Sequence, residues 1–393
     1  SVYRGHMSSR GNRAAPTLIA TSAIVLAGRT GIASSASKSK ATNQAVQRAL
    51  TEVMKQKNGP PGISMLITRN GNSQYYGRGI RNLSSKKPVA RGLHFRIASV
   101  AKTFNGAVAL SLVQQGRLNL NDTIGELLPG LLPKANRVTL AETLNHTAGL
   151  PDYIRDPKFI KVLQTDPGQY LSPRKLVSYV KNTKLNHKPG TKYEYSDTDN
   201  IVAGLMAEKV TGLSYNQLLR RQIGRRVNIS STTLPDVLAL PKPFLSGYDV
   251  SPGDPVVNQT FFINPALAWA SGGIVSTLPD LGRFIRAYVG GRFFGNRIRR
   301  VQRQWVPNAN SSPPGPGVNS AGMALFRYRS KCGTVYGHTG SFPGYRIFAA
   351  SSANGKRSIT FVANAQITDT SGSRRVSSLI RKMQVKAVCH ALS

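Results

Sequence analysis

Two turn signals of the same kind stand near opposite ends of the chain, and they constrain its architecture more than any other feature. Asn70-Gly71 separates Ile63-Ser64-Met65-Leu66-Ile67-Thr68 from Ser73-Gln74-Tyr75-Tyr76-Gly77. Asn354-Gly355 separates Tyr345-Arg346-Ile347-Phe348-Ala349-Ala350 from Ser358-Ile359-Thr360-Phe361-Val362. Each is a pair of β-rich runs joined by a dipeptide that tolerates the positive φ of a tight hairpin. A further strand-like run, Thr334-Val335-Tyr336, precedes the second pair. Between them the pattern is helical, from Ala107 to Gln115 and from about Asn200 to Val210, with breaks at Leu128-Pro129-Gly130 and Lys188-Pro189-Gly190. An amphipathic run over 41–56 precedes the first hairpin, and a helix from about Ser373 to Ala391 closes the chain. This order predicts an α+β fold. Residues 41–110 and 266–393 would build one antiparallel sheet flanked by helices, and 111–265 a mainly helical subdomain, with a cleft between the two.

Residues 1–40 read as a signal peptide and linker. Arg10 and Arg13 precede an apolar run, Ala14 to Gly28, and the small residues Ala33-Ser34-Ser35-Ala36-Ser37 follow. Pro16 and Arg29 weaken the pattern, and the alternative is a disordered tail. The run is too short for a permanent anchor, so no transmembrane segment is expected. The implied location is secreted or cell-envelope. In that setting the two cysteines, Cys332 and Cys389, suggest one disulfide, with two free buried thiols as the alternative.

Fifty-three Lys and Arg against sixteen Asp and Glu give a net charge of +37. No acid occurs between Asp280 and Asp369, a stretch that carries Arg283, Arg286, Arg292, Arg297, Arg299, Arg300 and Arg303. Such a surface attracts polyanions, anionic cell-wall polymers or head groups among them. Depletion of acids by the environment, such as a low external pH, reads equally well because the charge is diffuse. No nucleic-acid recognition module accompanies it. The six histidines show no metal-ligand spacing and no phosphate-loop motif occurs, so neither metal nor cofactor is expected.

The chemistry-bearing motif is Ser99-Val100-Ala101-Lys102, set between the strand-like Phe95-Arg96-Ile97 and an apolar helix. A serine at a helix start gains from the dipole and free amides, and a lysine three residues on shares its face. The same spacing recurs at Ser35, Ser37, Ser84, Ser172 and Ser178, but only Ser99 lies between a strand and an apolar helix. Tyr193-Glu194-Tyr195-Ser196-Asp197 and Tyr336-Gly337-His338-Thr339-Gly340-Ser341 add two further segments, each with a bland reading. Ser99 and Asp197 also suit helix caps, Tyr195 a core edge, His338 a strand interior and Gly340 a bulge.

Taken in order, the three segments resemble the S-x-x-K, Y-x-N and H/K-T-G motifs of class C β-lactamase-like serine hydrolases, in particular the soluble D-alanyl-D-alanine carboxypeptidases. Leu144-Asn145-His146-Thr147-Ala148-Gly149-Leu150-Pro151 and Ala270-Ser271-Gly272-Gly273-Ile274-Val275-Ser276-Thr277 fit the same group, and the similarity spans about residues 42–392. The resemblance implies a β-lactamase/transpeptidase-like fold and a secreted, penicillin-recognising, monomeric hydrolase that forms an acyl-enzyme at Ser99. It makes Lys102 the activator of Ser99, Tyr195 the proton relay, and the N–H groups of Ser99 and Ser341 the oxyanion hole. The strand at His338-Thr339-Gly340 would pair with a peptide or small acyl substrate, with His338 and Thr339 lining the site. The expected activity is a D-alanyl-D-alanine carboxypeptidase-like one, with esterase, D-amino-acid amidase or β-lactamase as alternatives. A wall-binding protein with little turnover is the remaining reading. Two departures stand out. Asp197 replaces the group's asparagine, and an anion there would pair with Lys102 and oppose its role as a free base. The arginine that binds a substrate carboxylate in the carboxypeptidases corresponds to Phe326, with Arg327 and Arg329 nearby. His146 reads as a fold-supporting residue.

Overall fold

A computed structural model describes residues 23–367 and 372–393, with only the backbone of residues 23–36. Residues 1–22, which hold most of the expected signal peptide, lie outside the described residues. Helix α1 runs from Ala23 to Met54, so it begins well before residue 41. No proline or glycine interrupts residues 32–58, and alanines and lysines among the serines carry the helix through the stretch read as a linker.

The hairpin strands β1 (Gly62–Arg69) and β2 (Asn72–Gly79) follow, turned by Asn70 and Gly71, both at positive φ. Helix α2 (Ala101–Gln114) continues from a 3₁₀ turn over Ala98–Val100 and runs unbroken through residue 110. The segment after it is mostly short helices, of which α3 (Asp197–Thr211) matters here. It starts at Asp197 rather than Asn200 and ends at Gly212 in the left-handed conformation. Helix α4 (Leu278–Gly290) leads back to the sheet. Its strands are β3 (Val306–Pro307), β4 (Val318–Gly322), β5 (Leu325–Ser330), β6 (Gly333–Phe342), β7 (Tyr345–Ser351) and β8 (Arg357–Ala363). Helix α5 (Arg374–Leu392) ends the chain.

All eight strands form one antiparallel sheet in the order β2-β1-β8-β7-β6-β5-β4-β3. The chain's two hairpins therefore meet at its centre, where β1 pairs with β8 from Ile63 opposite Ala363 to Arg69 opposite Arg357. The register divides the side chains between two cores. Tyr76, Met65, Phe361, Phe348 and Thr339 stand opposite one another in turn, and the first four join the apolar cluster that includes α1 and α5. Their neighbours Leu66 and Ala349 face the larger cluster that holds α2 and α4. There the Phe104 ring of α2 stacks on Phe284 of α4, with centroids 3.6 Å apart.

A disulfide joins Cys332, in the β5–β6 turn, to Cys389 of α5, across a Cα–Cα distance of 5.0 Å. It closes a loop with a sequence separation of 57. Loop-closure entropy then assigns it about 4 kcal/mol of stability. Thermal unfolding of the double Cys332→Ser/Cys389→Ser variant should show a loss of that order. An unchanged transition would mean the crosslink restricts the unfolded chain little.

Candidate active site

The strand Phe95–Arg96 delivers the chain to Ala98, which takes a φ of +50°. A non-glycine residue in this region is costly and is retained where the surroundings fix it. The bend turns Ser99 into the start of α2. One helical turn later the Lys102 ammonium, fully buried, donates to Ser99 Oγ at 3.2 Å and to the Ser271 carbonyl at 3.0 Å. Its third hydrogen goes to Asp197 Oδ1 in a close ion pair. All three donors are used, so the ammonium is satisfied without water. Asp197 keeps a 16% exposed side chain and is the first residue of α3.

Tyr195, two residues before Asp197, lays its ring 4.9 Å from Lys102 Nζ. Its hydroxyl is buried without a hydrogen bond. Burial drives this phenol far above its ordinary range, the Asp197 charge adds to that, and the nearby Ser99 hydroxyl opposes it. The phenol is therefore a proton donor in the resting site. Beneath it lies a pair that connects α3 to the segment before it. His146 Nδ1 sits 2.8 Å from Asp199 Oδ2, and the His146 ring packs on Tyr195 at 4.5 Å between centroids. Burial first, then Lys102 and His338, hold His146 well below its usual value, while burial, Asp152 and Asp197 hold Asp199 well above its own.

Strand β6 completes the arrangement. A Cβ at Gly340 would meet the Ile97 carbonyl at 2.7 Å and Ser99 N at 3.3 Å, so only glycine lets this strand lie against the nucleophile turn. Strand β5 pairs with β6 only from Gly333 to Gly337, and among the described strands none pairs with that edge beyond it. Phe342 opposite Tyr345 closes a two-residue turn. The alternation of antiparallel pairs then points the N–H of Ser341 away from β7, toward the open edge and the Ser99 amide.

The structure thus gathers Ser99, Lys102, Tyr195, Asp197, His338, Gly340 and Ser341 at one place. Thr339 differs from the expectation that it lines the site. The register sets it on the α1/α5 face, where it is fully buried and its hydroxyl donates to the Pro313 carbonyl. His338 faces Tyr195 and Phe326 instead, with ring centroids 6.2 and 4.9 Å away. Its Nδ1 donates to the Thr339 carbonyl, leaving Nε2 buried and unpaired. Burial, with Lys102 adding, lowers it to about 3, against a smaller upward pull from the Thr339 bond. The imidazole is neutral at ordinary pH.

One participant carries no signal in the sequence. Asp152 Oδ1 accepts the Asp197 N–H at 3.2 Å, and burial followed by the Asp197 charge raises this acid to about 7, with Lys102 and the backbone donors opposing. Three of the sixteen acids in a chain of net charge +37 therefore gather at Lys102.

These groups fix the sign of two opposing pH effects. His338 and His146 stay neutral when folded but protonate when unfolded, so their contribution is lost as pH falls below about 6.5. Asp152 and Asp199 stay protonated when folded but ionise when unfolded, so their contribution is present at low pH and lost as pH rises toward and beyond 7. The melting temperature should be nearly flat from roughly pH 4 to 6.5 and decline above it. Asp152→Asn should flatten the decline near pH 7. A melting temperature climbing steadily from pH 5 to 8 would contradict this balance.

A serine at a helix start, a buried lysine, a phenol and an open strand edge are parts that a serine acyl-transfer site needs, and comparison with known proteins gives the family. The beta-lactamase family profile matches residues 46–377. The chain belongs to the beta-lactamase family. This beta-lactamase-family chain superposes on a D-stereospecific amidohydrolase from Streptomyces sp. with a TM-score of 0.75 and 27% identity, covering 86% of this chain and 98% of that one. The D-amino acid amidase from Ochrobactrum anthropi SV3 shares the fold, with a TM-score of 0.76, 24% identity and coverage of 90% and 99%. A beta-lactamase from Escherichia coli (strain K12) is 26% identical over 253 residues, 62% of this chain and 60% of that protein. The chain spans only 41% to 64% of the length of the curated relatives it matches first. It has the β-lactamase fold, and no helix among its described residues is long and apolar enough to cross a membrane.

Proposed function

We propose that the chain hydrolyses amides and esters of D-configured acyl donors through an acyl-enzyme on Ser99. The observation that carries this is the meeting of Ser99 Oγ, Lys102 Nζ and the Tyr195 phenol beside the open edge of β6. A proton passing from Lys102 to Asp197 gives a free amine and a neutral carboxyl, which stands in for an amide. The amine takes the Ser99 proton as Oγ attacks the substrate carbonyl carbon. The N–H groups of Ser99 and Ser341 stabilise the oxyanion. The C–N bond breaks as Tyr195 donates its proton to the leaving amine, and Lys102 returns a proton to Tyr195. Water then attacks the ester by the same relay in reverse, freeing the acid and Ser99.

The choice of amide over peptide end rests on Phe326. It stands opposite Gly337, 2% exposed, with its ring edge-on to His338, where a carboxypeptidase would need a cation. Arg327 is drawn away, over the Trp305 ring at 4.9 Å and toward Ser320 Oγ at 3.3 Å. The likeness to the Streptomyces amidohydrolase supports the same choice. The disulfide supports an extracytoplasmic location, and the basic surface supports docking on anionic wall polymers.

The test compares kcat/KM for D-phenylalanine amide and an acyl-D-alanyl-D-alanine peptide, with intact-protein mass spectrometry after fluorescent penicillin. A missing charge-assisted clamp should favour the amide by at least about tenfold. The opposite preference with an adduct at Ser99 would make the protein a carboxypeptidase. No turnover and no adduct would leave a binding protein.

A further inference from the structure

Away from the acyl-transfer site, the segment Arg220-Arg221-Gln222-Ile223-Gly224-Arg225-Arg226 places four arginines in seven residues without an acid. Here the backbone opens from an α-helical turn into a π-helix over Leu219–Gly224. Such expanded turns are rare and tend to mark functional places. This one walls a cavity of about 640 Å³, within the roughly 300–1,000 Å³ range of small-molecule sites.

The lining has two chemistries. Phe104, Leu219, Ile229 and Leu234 form an apolar interior, each no more than 8% exposed as a residue. Arg220 and Arg225 stand at the rim, exposed, and neither guanidinium makes a hydrogen bond or ion pair among the described residues. The Arg225 N–H donates to the Arg220 carbonyl, a bond of the π-helical kind, so the two residues stand one above the other across the turn. No acid lines the cavity. Behind Thr232, Asp280 is already engaged by Ser231 N–H, the Thr232 hydroxyl and Arg283. The cavity therefore offers an apolar channel with two uncompensated guanidinium groups at its mouth.

We propose that this cavity binds a long-chain aliphatic carboxylate, its chain against Phe104 and Leu234 and its head group held by Arg220 and Arg225. The planar guanidinium fork suits a carboxylate, and the apolar lining excludes a fully hydrated anion. Phe104 belongs to α2, the helix entered from Ser99, so an occupied cavity presses on the helix that carries the nucleophile turn. The site is independent of the acyl-transfer reading and uses none of its residues.

Titration with cis-parinaric acid, followed by fluorescence, tests it. Saturable binding of one probe per chain is expected below the probe's aggregation limit, displaced by dodecanoate and not by dodecyltrimethylammonium. Arg220→Gln/Arg225→Gln should weaken binding at least tenfold. Leu234→Trp, or Ser230→Trp at the rim if the first fails to fold, should block binding while circular dichroism and melting stay near wild type. Absence of saturable binding overturns the proposal. So does binding that persists in the filled cavity, or that vanishes with salt equally in all variants, since that is adsorption to the basic surface.

Discussion

Ser99→Ala should leave no adduct with fluorescent penicillin and cut ester and amide turnover by ~10⁴-fold or more. The loss is large because the remaining groups act only through the nucleophile: a phenol held as a donor and a lysine amine with no hydroxyl to deprotonate. The fold should survive. Ser99 contributes one acceptor to Lys102, which keeps Asp197 and the Ser271 carbonyl, so the melting temperature should shift by only a few degrees. Turnover above one-hundredth of wild type in this variant would reject the acyl-enzyme reading, whatever the substrate.

Lys102→Met should show two losses that a second substitution separates. Removing the ammonium leaves Asp197, its side chain only 16% exposed, without the cation that balances it. Breaking one side of such a pair costs about 3–5 kcal/mol, and losing a positioned proton acceptor lowers the rate by about 10²–10⁴-fold. Adding Asp197→Asn removes the stranded charge. The double variant should regain most of the stability, because an apolar side chain beside an amide needs no counterion, yet recover none of the activity. Denaturant melts beside single-turnover acylation read the two quantities separately. If activity returned along with stability, Lys102 would be holding the site together rather than moving a proton.

The parts of this site visible in the amino-acid order are those where chemistry and local structure coincide. Ser99 was separable from the other serines with a lysine three residues on because a strand precedes it and an apolar helix follows. The structure shows why the others are idle: Ser172 caps the helix Pro173–Ser178 through the Lys175 N–H, and Ser178 Oγ donates back to the Lys175 carbonyl. The hairpins were legible because Asn-Gly demands its own backbone geometry. Strands β4 and β5 were not: Val318-Asn319-Ser320-Ala321-Gly322 is small and polar, and its partners lie in the turn-rich stretch around it. Helix α4 went unread despite a Thr277 cap and a Gly291 stop, since Pro279 and Gly282 break its apolar pattern. Asp152 and the His146–Asp199 pair have no local signature. Their roles arise from α3 packing beside the 146–152 segment, which depends on tertiary contacts alone.

The pairing of β1 with β8 also dictates when this protein becomes a protein at all. The second strand of the chain's first hairpin pairs with no strand but β1 among the described residues, and β1 must wait for residues 357–363 before its other flank is covered. A polypeptide leaving the ribosome thus carries a half-made sheet until residues 357–363 have emerged, and long-range closure of that kind is slow. Chains cut short anywhere before residue 357 should accumulate as protease-sensitive, aggregation-prone species rather than as smaller working enzymes. Fusion partners and reporters placed anywhere between the two hairpins, the exposed turns of the helical middle included, would delay that final closure further.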